Sequence, residues 1–524
     1  MKKLLILAGL LGTCLVNAHA ENRVTWTDKA DIPTLDPYAF ASTQALAFQN
    51  HIYEGLVEWD ENYKIAPALA TSWQQVDEQT IQFTLREGVR FHNGNAFDAD
   101  DVVASIERVI HKDSGIRGNA SSVTGATKIS DYEVALTTVP YSPMVLNELT
   151  GILMMDLEWM VENGALAPSS MSNGTESYAT NNTNGTGPFK LVSRRRDAGM
   201  TLVVNDDWWN SADKQHNIDR IDFKPIVSDA TRLAGLISGE FSLTTDVPLQ
   251  DIPRLERQNN IEVMIQPSMR VDFITLNMSD SLIASNTFNE NPLQDVRVRQ
   301  ALMHAINRDL IVEKIMRKMT SVSNAYISPL IAGYNAANDI ALDYNPEKAK
   351  QLLAEAGYPD GFNLAFDCVQ GAYLNAEQWC AAVQSFWARV GVNADLNMHT
   401  RSTYSVIRDQ GKTDIGVLGW ANLPLVDAYS ITQQLIHSKD GAIFGAFNIP
   451  NYKNAIVDEY IEQGVRELDE AKRIGLMESA LQLTQQDLPY IPMHYEPVVW
   501  VASANLDVPQ TSDSVVRLWR AAVK

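Results

Sequence analysis

The sequence is poor in cysteine, histidine and basic residues. Its 524 residues include three cysteines and nine histidines, and 42 lysines and arginines stand against 64 aspartates and glutamates, giving a formal net charge of -22. This excess of negative charge argues against nucleic acid or an anionic membrane as a partner, because both attract basic surfaces. Long apolar runs are also missing, since after residue 20 no stretch reaches the ~20 residues that a membrane-spanning helix needs. We therefore expect a globular protein.

The first 20 residues have the pattern of a secretory signal. Two lysines precede an apolar run from Leu4 to Val16, and small residues ending at Ala20 form a cleavage site. Thr13 precedes Cys14, where lipoprotein signals usually have glycine, alanine or serine, so we expect a free soluble product. A free product must be retained by an outer envelope, which predicts a periplasmic location.

Two cysteines, Cys368 and Cys380, follow the predicted cleavage site. Export into an oxidising compartment favours a disulfide between them, and two buried free thiols are the alternative. Both possibilities remain open from the sequence.

The chain is too long for one ordinary core. With about 100–200 residues per domain, we expect two large lobes or three smaller domains. Between Val271 and Asn307 the sequence suggests where the lobes meet. The first part of this stretch, from Val271 to Asn277, is rich in β-branched and aromatic residues, which is typical of a strand buried on both faces. Asp295 is a candidate N-cap for the amphipathic helix that follows. A buried strand that leads into a new helical layer indicates a crossing between lobes.

The second half of the chain alternates between helix and strand. Asn345 and Pro346 are expected to open a helix that Gly357 ends, because proline favours the first turn of a helix and glycine the position after its end. Strands are predicted at 362–369 and 392–398 with a further helix between them. This order predicts an α/β lobe with parallel strands.

Several runs together resemble the extracellular solute-binding proteins of family 5, the dipeptide-, oligopeptide- and nickel-binding type that serves ABC transporters. The matching runs are Leu35-Asp36-Pro37, Tyr53-Glu54-Gly55-Leu56, Glu87 to Ile110, Gly185 to Phe189, Val296 to Ala301 with Ala305-Ile306-Asn307, and Gly419-Trp420. The resemblance implies an α/β fold with two lobes that close on ligand like a clamshell, the type II periplasmic binding protein fold, with an extra domain in the first lobe. It also implies two crossings between the lobes, near Asn277 and near 488–493.

The resemblance divides the chain into six segments. They are the signal peptide 1–20, the first part of lobe I 21–55, its extra domain 56–200, the second part of lobe I 201–277, lobe II 278–490, and a C-terminal return to lobe I 491–524.

The loop after Trp420 is where the resemblance implies a ligand site. It follows an apolar predicted strand, so we expect it at a strand end facing the crevice between lobes. Trp420, Asn422 and Asp427 are its candidate ligand-binding residues, and a core position is the alternative for Trp420. Similar peptide binders carry an acid three residues after the tryptophan, which pairs with a peptide's terminal ammonium, but here that residue is Leu423. The missing carboxylate argues against recognition of a free amino terminus.

Four further residues are candidates for ligand contact. Tyr38 and Phe40 lie in a loop whose counterpart in the nickel-binding branch contributes an aromatic residue, and a packing role is the alternative. Arg270 and Arg401 lie near predicted strand ends and could meet a ligand carboxylate, because arginine offers a bidentate fork. Ordinary exposed arginines are the alternative for both.

Motifs for catalysis or metal binding are missing from the sequence. It has no HExxH pair, no G-x-S-x-G elbow and no CxxC, and its histidines lack metal-like spacing. We expect a monomeric binding protein without catalytic residues, metal or cofactor. It would be the periplasmic component of an ABC importer, delivering a small peptide or similar polar solute to a permease and ATPase in the inner membrane. The alternatives are a binder of an opine, amine, metal chelate or oligosaccharide, a ligand sensor for a chemoreceptor, and a secreted hydrolase.

Overall fold

A ten-stranded sheet runs through the molecule and joins its two lobes. The computed structural model describes residues 21–524 except 41, 172–173, 214, 281, 283–289, 340 and 442–443, so the predicted signal at 1–20 lies outside the described residues. None of the helices in the described part of the chain is both long and apolar enough to cross a membrane.

Strands follow one another in much of the first lobe, whereas helices and strands alternate between residues 346 and 420. The strands are β1 (Arg23–Asp28), β2 (Val57–Trp59), β3 (Ile65–Pro67), β4 (Ala70–Asp77), β5 (Thr80–Leu85), β6 (Val123–Ser130), β7 (Glu133–Thr138), β8 (Phe189–Arg195), β9 (Gly199–Val204), β10 (Arg220–Pro225), β11 (Leu243–Thr245), β12 (Ile261–Leu276), β13 (Phe362–Val369), β14 (Val392–His399), β15 (Ile415–Trp420), β16 (Tyr490–Ser503), β17 (Leu506–Asp507) and β18 (Ala522–Val523). The helices are α1 (Thr43–Ile52), α2 (Ala99–Val109), α3 (Val145–Leu149), α4 (Leu157–Glu162), α5 (Asp229–Ser238), α6 (Ile252–Leu255), α7 (Val296–Ala305), α8 (Arg308–Lys314), α9 (Pro346–Glu355), α10 (Ala376–Ala388), α11 (Arg401–Asp409), α12 (Ala428–Ile431), α13 (Ala455–Gly464) and α14 (Glu470–Asp487).

The strand order of the large sheet is β14-β13-β15-β12-β16-β11-β1-β10-β9-β8. On the second-lobe side, β13 is parallel to both β14 and β15, which confirms the predicted α/β pattern. On the first-lobe side, β1 is parallel to β10 and β11. A separate antiparallel sheet, β4-β5-β7-β6, forms the core of the extra domain.

Strands β12 and β16 connect the two halves of the large sheet. They pair antiparallel, with a register shift in β12 between Pro267 and Val271. From Val271 onward β12 also pairs with β15, whereas the far end of β16 pairs with β11. The change of neighbours therefore falls before Val271, earlier than the crossing predicted near Asn277. The predicted crossing follows the end of the apolar run at Asn277, whereas the partners of β12 change at least six residues earlier.

The buried strand and the capped helix expected around residue 280 are both present. Every residue from Val271 to Leu276 is at most 1% exposed. Asp295 caps α7 by accepting a hydrogen bond from the backbone N–H of Arg297 at 2.8 Å. Such caps satisfy N–H groups that the first turn leaves free, and for that reason the local sequence predicts this helix start correctly.

Three of the matching motifs contribute contacts inside the first lobe. Arg108 in α2 donates two hydrogen bonds, both 2.6 Å long, to the buried carboxylate of Asp36. Burial raises the pKa of Asp36, but the hydrogen bonds and charge of Arg108 more than offset this and keep the pKa below its usual value. Glu54 accepts hydrogen bonds from the indole N–H groups of Trp208 and Trp209 at 3.0 and 2.9 Å. These motif residues are therefore structural.

Cys368 and Cys380 form a disulfide between β13 and α10. Both residues are fully buried in the hydrophobic core of the second lobe. Of the two possibilities left open by the sequence, the structure has the bridge.

Candidate ligand-binding site

The two crossing strands carry a pair of opposite charges where they pass between the lobes. Nε of Arg270 in β12 lies 2.9 Å from Oε2 of Glu496 in β16. The other oxygen of Glu496 accepts a hydrogen bond from the backbone N–H of Leu374 at 2.7 Å. The side chains are 27% and 17% exposed. The pair is thus fixed by the protein and still accessible.

A second charge pair lies at the ends of the neighbouring strands β1 and β11. Lys29 is paired with Asp246, and each side chain is about one third exposed. Burial lowers the pKa of Lys29, but the carboxylates of Asp246 and Asp28 outweigh this and raise it. Asp28 accepts a hydrogen bond from the hydroxyl of Thr245 at 2.6 Å. Burial, followed by the charge of Asp246, raises the pKa of Asp28.

Asp272 and His494 lie next to the first charge pair, on the same two strands. Both are fully buried, and Oδ2 of Asp272 is 3.3 Å from Nε2 of His494 without the geometry of a hydrogen bond. Burial, together with the charge of Asp272, raises the pKa of Glu496 to about 8 against the opposing effect of Arg270. With Asp28 and Asp246, four carboxyl groups and the basic side chains of Lys29 and Arg270 lie in this part of the cleft.

Trp420 supplies an aromatic wall beside these charges. It is the last residue of β15, the strand next to β12, and the backbone carbonyl of Gly419 lies 3.4 Å from Nη1 of Arg270. The ring is half-buried, with its centre 5.5 Å from that of Phe447, and its N–H donates to the hydroxyl of Ser430 at 3.2 Å. Partial exposure at a strand end fits the predicted wall better than a core position.

The loop after Trp420 contacts the extra domain of the first lobe directly. The indole N–H of Trp59 donates to the backbone carbonyl of Pro424 at 3.1 Å. The side-chain amide of Asn147 donates to the backbone carbonyl of Leu425 at 2.8 Å. The two lobes therefore touch through this loop, as in a closed clamshell.

Asn422 lies in the same loop and is 1% exposed. Its backbone is left-handed, with φ of 56°, a conformation in which asparagine is enriched. Neither Nδ2 nor Oδ1 of its side chain has a hydrogen-bond partner in the structure. Burying an amide without partners costs about 1–3 kcal/mol. This amide is therefore a candidate for pairing with a ligand.

Asp427 ends the loop, and its contacts lie within the second lobe. One carboxylate oxygen caps α12 by accepting from the N–H of Tyr429 at 2.8 Å, and the other lies 2.7 Å from Nη1 of Arg473. Burial raises the pKa of Asp427 against the effect of Arg473. Because both oxygens are occupied in a buried position, the predicted ligand contact of Asp427 does not fit its placement.

Tyr38 and Phe40 have different surroundings in the first lobe. Tyr38 is fully buried, its hydroxyl donates to the backbone carbonyl of Leu153, and the guanidinium of Arg108 lies 5.2 Å from its ring centre. This is a core position, which does not fit the predicted ligand contact. Phe40 is half-buried against the core of the first lobe, and part of its ring remains accessible.

The structure brings Arg270, but not Arg401, to Trp420. Arg401 is exposed and begins α11 after β14, the edge strand of the sheet. Two strand spacings separate β14 from β15, which corresponds to roughly 10 Å. Arg401 is thus at the outer end of the same sheet edge and away from the charge pairs.

Sequence reasoning missed most of the charged residues of the site. Asp272, His494 and Glu496 stand inside otherwise apolar strands, and a buried ionisable group is costly unless it is paired. An ionisable residue inside an apolar strand could have been recognised in the sequence as unusual. Its partners could not, because they come from distant parts of the chain. Among the described residues, no group of three or more His, Cys, Asp or Glu side chains is placed to hold a metal ion.

A two-lobed α/β fold with a polar cleft at the crossing of its lobes is the architecture of type II periplasmic binding proteins. Residues 64–442 match the family model described as bacterial extracellular solute-binding proteins, family 5 Middle. The chain belongs to this family.

One named relative and two solved structures each match 96% of the chain. The glutathione-binding protein GsiB of Shigella flexneri serotype 5b is 26% identical over 519 residues, covering 96% of this chain and 94% of the relative. The periplasmic binding protein DppA of Helicobacter pylori, in complex with the peptide STSA, superposes with a TM-score of 0.80 at 23% identity, covering 96% and 98% of the two chains. AgaA of A. tumefaciens R10, in complex with agropinic acid, gives 0.79 at 20% identity, covering 96% and 99%. These superpositions show the shared fold.

Proposed function

We propose that this protein is the periplasmic solute-binding component of an ABC importer. It captures a small peptide or similar polar solute between its lobes and delivers it to a membrane permease. It acts as a monomer and carries out no catalysis. Cleavage after Ala20 releases it into the periplasm.

The observation that carries this proposal is the Arg270–Glu496 pair beside Trp420. The two charges stand on the strands that connect the lobes, and the aromatic ring stands at the end of the next strand. A rigid aromatic surface with a few fixed polar groups is the usual composition of a small-ligand site. A ligand held there touches both lobes, so binding favours the closed form.

The ligand class is inferred from relatives and from the loop. GsiB is named for glutathione, a small peptide, and DppA was solved with a peptide, which supports peptides as the first candidate. AgaA, solved with agropinic acid, supports a non-peptide solute as the second candidate. Leu423, in place of the acid of similar peptide binders, also favours a ligand without a free ammonium at that point.

A thermal-shift screen tests the proposal. The mature protein is heated with peptides including glutathione, and with amines, opines, metal chelates and oligosaccharides. A ligand that binds only the folded state raises the melting temperature. We expect peptides to give the largest increases in melting temperature. In calorimetry, the same peptides should give a saturable isotherm with one site. A larger and saturable shift with opines would replace the peptide by the second candidate, and turnover of any compound would overturn the binding-protein assignment.

A further inference from the structure

We propose that Asn422 recognises the backbone of a peptide ligand. Its side-chain amide would pair with the N–H and C=O groups of one extended residue, so that backbone amides, and not the terminal ammonium, orient the ligand in this loop. The inference rests on the proposed function and names the groups of the ligand that the loop reads.

The side-chain amide of Asn422 lacks hydrogen-bond partners, whereas the polar groups around it in the loop have them. The backbone carbonyl of Asn422 accepts from the N–H of Val426 at 2.8 Å. The carbonyls of Pro424 and Leu425 accept from the first lobe, and the indole of Trp420 donates to a hydroxyl. Only the side chain of Asn422 is buried with both polar atoms unpaired in this loop. A group with this chemistry is expected to find a partner when the cleft is filled.

The donor and the acceptor of the Asn422 side chain match those of a peptide backbone. A carboxamide offers an N–H donor and a C=O acceptor side by side. One residue of an extended peptide presents its own N–H and C=O toward the same side, the arrangement that a neighbouring strand uses in a sheet. An ammonium group by itself has no acceptor and a carboxylate by itself has no donor, so neither charged group alone satisfies both atoms of Asn422.

The loop that carries Asn422 also contacts the first lobe. Pro424 and Leu425 dock on Trp59 and Asn147 of the first lobe, which places Asn422 in a loop that is held between the lobes. An unpaired amide in this position disfavours the closed form, whereas a ligand that pairs with it removes that penalty. Differential stabilisation of one state is what a ligand needs in order to shift a conformational equilibrium.

The neighbouring residue is consistent with this division of roles. Leu423 is apolar and packs against the hydrophobic cluster around Trp420 and Tyr429. It supplies no charge for an ammonium. The polar side chain left to contact a ligand in the centre of the loop is therefore that of Asn422.

The test measures the dissociation constants of trialanine, N-acetyl-trialanine and trialanine analogues in which each amide in turn is replaced by an ester. Acetylation removes the ammonium, and an ester removes one N–H donor. For the natural protein we expect acetylation to change the affinity by less than about threefold, and one of the two esters to weaken binding by roughly tenfold. Strong loss on acetylation without loss for either ester would overturn the inference.

Variants then assign the effect to this residue. Asn422→Gly keeps the left-handed backbone and removes the amide, and Asn422→Asp keeps the shape but removes both donors. We expect both to weaken binding of N-acetyl-trialanine by about tenfold and to abolish the difference between ester and amide. The matched control is Asn451→Gly, at another asparagine with positive φ whose side chain is paired with Lys439 and Asn277. It should bind like the natural protein.

The outcomes separate this inference from the proposed function. Peptide binding with unchanged affinity in a folded Asn422→Asp variant would overturn the role of Asn422 alone. Failure of every peptide, free or acetylated, to bind the natural protein would overturn the peptide assignment itself and the inference with it.

Discussion

Arg270 and Glu496 face each other across the two strands that join the lobes, with Nε and Oε2 2.9 Å apart. They are far apart in the sequence and meet because β12 and β16 are antiparallel neighbours. The pair therefore marks the place where the two strands pass between the lobes.

Stability should decrease as the pH rises through the range in which Glu496 ionises. Burial raises the pKa of Glu496 to about 8, above the usual value of about 4.3. An acid with a raised pKa in the folded state stabilises the fold below the pKa of the unfolded state, and this contribution is lost as the pH rises toward 8. Glu496→Gln should flatten the dependence of melting temperature on pH between about pH 5 and pH 8. An unchanged slope would show that Glu496 does not titrate in this range.

Trp420→Ala should weaken ligand binding by roughly tenfold or more without unfolding the protein. The ring is half-buried at the strand end, and losing about 1.4 kcal/mol of contact energy corresponds to a factor of ten. Calorimetry with a ligand from the screen gives the affinity, and circular dichroism checks the fold. Trp73→Ala, a partly exposed tryptophan on β4 of the extra domain, is the matched control and should leave the affinity unchanged. Equal affinities for all three proteins would assign Trp420 to packing.

Leu423→Asp should create a preference for peptides with a free amino terminus. The new carboxylate would stand at the position of the acid that similar peptide binders use for the ammonium, and a hydrogen bond to a charged group contributes about 1.5–3 kcal/mol. The ratio of affinities for free and N-acetylated forms of one peptide should rise at least several-fold over that of the natural protein. Leu423→Asn, which has similar size but no charge, should leave the ratio near its original value.

Trp59→Phe should reduce ligand affinity about three- to tenfold, because it removes the N–H that holds the carbonyl of Pro424 in the closed form. The aromatic ring is kept, so the packing of the extra domain should not change. Asn147→Ala removes the neighbouring contact to Leu425 and should have a similar effect. Small-angle scattering should show a larger radius for both variants at a ligand concentration that closes the natural protein. If the natural protein and both variants were closed to the same extent, these contacts would have no role in closure.

Reduction of the Cys368–Cys380 disulfide should lower the free energy of unfolding by about 3 kcal/mol, since the bridge closes a short loop in the unfolded chain. Denaturant unfolding with and without dithiothreitol measures the difference. A double variant with both cysteines replaced by alanine should have the same free energy of unfolding with and without dithiothreitol. If the natural protein keeps its stability after its thiols are shown to be free, the bridge contributes little.

The sequence was most informative where structure depends on near neighbours. Asp295 is predicted as an N-cap, and the structure has it in that role, because a cap involves residues only two or three positions away. The strand at 362–369 follows equally from its own composition. The two-lobed fold was predicted from motifs spread over the chain and not from any single helix or strand.

The candidate site was less predictable because it is assembled from distant segments. Trp420 and Asn422 lie together since they share a loop, but Lys29, Asp246 and Glu496 meet only through the order of β1, β11 and β16 in the sheet. No local pattern contains that order. Tyr38 illustrates the opposite error, in which an aromatic residue in a motif-bearing loop belongs to the core.

The register shift in β12 lies where the two strands pass between the lobes. Between the pairs Pro267–Pro497 and Val271–Tyr495, three residues of β12 stand opposite the single residue Glu496. Such a mismatch interrupts the ladder and increases local twist. Under the proposed function, a rotation of the lobes about this point would leave Arg270 and Glu496 at the pivot, and the loop that carries Asn422 would close over a solute held there.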